Sequence, residues 1–109
     1  MQAPTPNILS EAEMESVIST ATVHLRGTHT HASTRHAVMD IGEDVFDELG
    51  AYVRVYAAYR LGFKGKTEAD LTSAIGVMER HTNRGLAHLL AGQAEWEVDA
   101  AIAQKTNGR

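Results

Sequence analysis

Between Thr34 and Leu61 the chain carries two apolar rows at helical spacing. The first is Val38, Ile41, Val45, Leu49, Tyr52, Tyr56 and Tyr59; the second, beside it, is Met39, Phe46, Gly50, Val53 and Ala57. Together they span roughly 160° of the helix, against ~100° for an ordinary surface helix with one buried face. Asp40, Glu43, Asp47, Arg54 and Ala58 lie opposite. A helix over 34–61 would be ~42 Å long, whereas a compact domain of this size has a radius of gyration of only ~13 Å. Such an element has to be the long central helix of a small bundle. One of its rows can pack on neighbouring helices. The other is covered most simply by a second copy, which makes Met39, Phe46, Gly50, Val53 and Ala57 the expected interface of a symmetric homodimer. The competing arrangement is a monomer in which the first and last helices cover one row each.

The flanking segments are also helical in pattern. Ser10 and Glu13 form a capping box, with Leu9 and Met14 placed as a hydrophobic staple. Glu11, Glu13 and Glu15 suit the positive end of a helix dipole. Met14, Val17, Ile18, Ala21 and Leu25 follow a helical period, and Gly27 after Arg26 reads as a C-terminal cap. The first helix is therefore expected over about 10–26. Gly62 should end the central helix, and Thr67 with Asp70 forms a second capping box. Leu71, Ile75, Met78, Leu86, Leu89, Leu90 and Trp96 continue the helical signal to about Lys105. Gly76, Gly85 and Gly92 interrupt it, each costing a helix interior about 1 kcal/mol relative to Ala. That half can be one long helix or two or three short ones. No stretch alternates with period two. The fold class expected is all-α: a bundle of three to five helices, with a lead-in at 1–9, one domain at 10–105 and a tail at 106–109.

Composition narrows the functional classes. The 109 residues suit one domain with one thin core. The formal charge of -4 argues against general attraction to nucleic acid or anionic lipid, while leaving room for a locally basic face. The absence of cysteine removes disulfides, thiol catalysis and thiolate–metal sites. Met1–Pro6 has no basic region followed by an apolar run, and no apolar stretch approaches ~20 residues. A cytoplasmic protein with no membrane partner is expected.

The stretch "HLRGTHTHASTRH", residues 24–36, holds four of the six histidines and no acid. Zinc or nickel would accept three imidazoles, and Asp40 follows His36 by four residues. An anion could instead sit at the start of the next helix. The favoured reading is a corner: Gly27 closes one helix, Ser33 or Thr34 caps the next, and the histidines are solvated. No metal and no cofactor are expected.

Residues 67–90, "TEADLTSAIGVMERHTNRGLAHLL", are similar to a helix-turn-helix, with Leu71, Ile75, the Gly76 turn and Val77 in register. The resemblance implies a recognition helix from about Glu79 that presents Arg80, His81, Asn83 and Arg84 to phosphates and base edges. Residues 86–94, "LAHLLAGQA", resemble the motif around the phosphorylated histidine of histidine phosphotransfer domains, with His88, Leu90 and Gly92 in register. "GFKGKT" at 62–67 is no phosphate loop, because only two residues separate its glycines and a helix precedes it. Asp40, Glu43, Asp44, Asp47 and Glu48 lack an accompanying Glu-x-x-His and read as a solvated face. No catalytic constellation emerges. The expectation is a non-enzymatic helical protein, a regulator, adaptor or inhibitor that binds another protein, as a homodimer. The alternative is a DNA-binding regulator using residues 67–90.

Overall fold

The computed structural model describes residues 9–32 and 43–107, with side chains described over 9–26 and 43–107. Four helices follow one another: α1 (Glu11–Ala32), α2 (Glu43–Leu61), α3 (Glu68–His81) and α4 (Arg84–Asn107). Consecutive helices pack side by side and α4 closes back onto α1. Across the bundle, α2 packs on α4 as well, so α2 touches all three other helices. The radius of gyration is 14.0 Å and the extents are 41 × 29 × 19 Å.

Three of the four helix starts have a local cause on the chain just before them. Glu13 N–H donates to Ser10 Oγ at 3.1 Å, and Ser10 N–H donates back to the Glu13 carboxylate at 2.9 Å. Leu9 and Met14, on either side of the cap, are both buried, as a hydrophobic staple requires. At α3 the Asp70 carboxylate accepts the Thr67 N–H at 2.7 Å and the Thr67 hydroxyl at 3.2 Å. Those bonds, the backbone one first, hold the Asp70 carboxyl below its ordinary value. Helix α4 starts on Asn83, whose Oδ1 accepts the Leu86 N–H at 2.8 Å.

The helix ends differ from one another. Helix α2 stops where Gly62 turns to a φ of +78°. Phe63 N–H then reaches the Ala58 carbonyl at 2.8 Å and Gly62 N–H reaches that of Tyr59 at 3.4 Å, the paired bonds of a Schellman end. Gly27 does not end α1. It takes helical backbone, and the helix runs on to Ala32. A C-terminal cap needs a left-handed residue; a glycine that stays helical only weakens the interior. The expected corner at Gly27 is therefore helix, and the expected Ser33 and Thr34 caps lie outside the described residues.

The core is one cluster drawn from all four helices. Helix α2 contributes Val45, Phe46, Leu49, Tyr52, Val53, Tyr56, Ala57, Ala58 and Leu61. Helix α4 contributes Ala87, Leu90, Ala91, Ala94, Val98 and Ala101. The buried side of α2 is thus mostly bulky and that of α4 mostly alanine, and α4 packs on all three other helices. Ala58, placed by its spacing on the outer face, is buried instead. The expected central helix over 34–61 is helical over Glu43–Leu61, and its earlier part lies outside the described residues. The longest described helix is α4, with 24 residues. No described helix is long and apolar enough to cross a membrane.

Candidate interaction face on α4

Of the row expected to meet a second copy, Phe46, Val53 and Ala57 lie inside the chain. Val53 and Ala57 are 0% exposed. Phe46 is buried with the Arg26 guanidinium 4.0 Å above its ring, a cation–π contact. Gly50 is half-buried, and a Cβ added there would meet nothing within 4 Å. Met39 lies outside the described residues. The physical reason is the position of α2: packed by α1, α3 and α4, it has the described part of both apolar rows packed against its own chain.

The helix boundaries expected for the helix-turn-helix are corrected as well. Gly76 sits within the unbroken helix α3, so no turn forms there, and no helix begins near Glu79. The break falls at Thr82–Asn83, where the Thr82 hydroxyl bonds the Met78 carbonyl at 2.9 Å and Asn83 caps α4. Arg80 and His81 are the last turn of α3, Asn83 is a cap and Arg84 is the first residue of α4. His81 lies 4.0 Å from Glu48, and Arg84 lies 3.7 Å from Glu79. The four side chains share no helix face. His88 is exposed on α4, 3.5 Å from the Glu79 carboxylate. In the histidine stretch, His24 Nδ1 lies 3.1 Å from Glu97. The side chains of His29 and His31, and all of His36, lie outside the described residues. Among the described residues no group of three His, Asp or Glu could hold a metal.

What the structure places on the surface is the outer side of α4. Leu89 is 46% exposed and Trp96 is 68% exposed, seven residues apart. Around them Gly85, Gly92, Ala100, Ala103 and Asn107 are also exposed. These seven positions form one strip along the whole helix, opposite its buried alanines, and none is charged. A solvent-facing strip of a surface helix is normally polar and charged. On α1, Val23 is 67% exposed, beside Thr20 and His24. A hollow of about 210 Å³ between α1 and α4 is lined by Thr20, His24, Trp96, Glu97, Ala100, Ala101 and Gln104.

The acids of α4 explain its orientation. The Tyr52 hydroxyl donates to the Glu95 carboxylate. The Tyr56 hydroxyl lies 3.0–3.1 Å from both Asp99 oxygens, and Arg60 Nε donates to Asp99 at 3.0 Å. Glu97 meets His24. Three carboxylates within five residues are thus held toward α2 and α1, which turns Trp96, between them in sequence, outward. Burial, and then the hydrogen bonds to Glu95 and Asp99, push the Tyr52 and Tyr56 phenols well above their ordinary value of 10.0. Both phenols stay protonated donors in neutral solution.

Spacing alone grouped Leu89 and Trp96 with the apolar signal of α4 and did not separate the buried side from the outer one. The separating signal was present: Ala87, Ala91, Ala94, Val98 and Ala101 form the regular inward row, and Leu89 and Trp96 fall opposite it. No protein-family model, curated protein or solved structure matches the chain.

Proposed function

We propose that this chain is a small non-enzymatic helical protein of the cytoplasm that acts by binding protein through the outer strip of α4 and the adjoining part of α1, as a regulator or adaptor. The observation that carries the reading is Trp96. It is the chain's single tryptophan, it is 68% exposed, and it sits mid-way along a strip without charge. Tryptophan is enriched among residues that dominate binding energy, because its large rigid surface gains much on burial at little entropic cost. Leu89 and Val23 supply further exposed apolar area, and the hollow beside Trp96 offers a socket for a partner side chain.

The test is site-specific photo-crosslinking in living cells. A photoreactive side chain at position 96 should give covalent adducts with polypeptide, and the same group at the exposed Lys64 of the α2–α3 loop should not. If position 96 gives no adduct, or no more than position 64, the reading fails.

A further inference from the structure

We infer that the partner of the α4 strip is a second copy of this chain, with the two α4 helices antiparallel about a two-fold axis at Trp96. This rests on the strip being a protein-binding face. An isologous contact requires one surface to be complementary to itself, and the strip meets that requirement residue by residue. Counting from Trp96, it is occupied four residues away by Gly92 and Ala100, and seven away by Leu89 and Ala103. A two-fold axis at Trp96 places Gly92 opposite Ala100 of the partner subunit, and Leu89 opposite Ala103 of the partner subunit. Small therefore meets small next to the axis, and large meets small beyond it. The two Trp96 rings pack together at the centre, where Gly92 and Ala100 let the backbones approach.

Charge points the same way. Two identical faces repel when they carry net charge, and this one carries none along its crest. The neighbouring acids, Glu95, Glu97 and Asp99, are engaged within the chain by Tyr52, His24, Tyr56 and Arg60. A partner chosen by electrostatic matching would find no charge on the crest to read. The size of the contact is consistent with a dimer of modest affinity. The strip is ~33 Å long and ~10 Å wide. With Thr20 and His24 of α1, which line the hollow beside Trp96, two copies would bury on the order of 1,000 Å² in total, the lower end of specific interfaces.

Light scattering and Trp96 emission, followed together from about 1 µM to about 1 mM, test the assignment. Because Trp96 is the only tryptophan, its emission reports this site alone. The mass should double as the emission shifts to the blue. Leu89→Glu should stay at single-chain mass with unchanged helicity, because residue 89 is outside the core. The double variant Leu89→Glu/Ala103→Lys should dimerise again, since the antiparallel register puts each new glutamate against a new lysine. A parallel register would put like charges together and would not be rescued. Single-chain mass with unshifted emission up to about 1 mM would overturn the proposal, as would a double variant that fails to recover. The crosslinking experiment separates this failure from that of the broader reading. Adducts at position 96 only with polypeptides of other mass leave protein binding standing and remove self-pairing, whereas no adduct removes both.

Discussion

At Gly50 two physical demands can be told apart. A glycine at a close helix–helix crossing resists any side chain, whereas a glycine in an open helix interior gains from one. Position 50 is the second kind, since an added Cβ meets nothing within 4 Å. Gly50→Ala should raise stability by up to about 1 kcal/mol, through helix propensity and a less flexible unfolded chain, seen as a higher urea midpoint. A lower midpoint would mean that another backbone packs there. Ser10 is the complementary case. Its hydroxyl satisfies the Glu13 N–H, so Ser10→Ala should cost about 1 kcal/mol while leaving the mean helicity of the native state nearly unchanged. Residue-level signals were legible where chemistry is local: both capping boxes and the Gly62 end stand as their residue types imply. Gly27 and Asn83 were not, because a glycine can be a cap or a tolerated interior residue, and an asparagine can cap a helix or face solvent. Only the backbone around each decides.

Among the elements, the α2–α4 diagonal has a polar seam laid over an apolar one. Tyr52 and Tyr56 are buried with their rings stacked on one another, and they pass their hydroxyls to Glu95 and Asp99 on α4. The sequence pattern made these tyrosines core positions by spacing, but nothing in the spacing paired them with acids 43 residues away. That pairing appears only when the two helices are set side by side. Tyr52→Phe keeps the ring and removes the donor, leaving Glu95 short of a partner. The expected cost is about 1.5–3 kcal/mol, as for a hydrogen bond to a charged group, and Glu95→Gln in the same background should recover part of it in a double-variant cycle. The seam also sets an alkaline limit. Phenols whose folded pKa is raised contribute stability that is fully present below the unfolded value of 10.0 and is lost as the pH climbs through the folded value. Tyrosinate absorbance from Tyr52 and Tyr56 should therefore rise late, together with loss of helical circular dichroism. Early titration of both before any loss of structure would contradict the seam.

For the whole molecule, the central question is whether one chain completes its own core. The width of the apolar face on α2 was legible in the sequence, and so was its need for cover on both sides. Which elements supply the cover was not, because periodicity describes one helix at a time and says nothing of its neighbours. Phe46, Val53 and Ala57 are covered from within, while the large apolar side chains left uncovered among the described residues are Val23 on α1 and, opposite the inward alanines of α4, Leu89 and Trp96. Two consequences follow that an obligate dimer built on α2 would not share. Val53→Glu should unfold the chain at any concentration, since it buries a charge without a partner, whereas Trp96→Glu should leave the fold intact. The urea midpoint should also stay constant over about a hundredfold dilution below the concentration at which copies pair, because a chain that completes its own core has no mass-action term in its unfolding. A midpoint that falls steadily with dilution in that range would show that the fold itself needs the second copy, so that a single chain could not be the folding unit to which α4 adds a further contact.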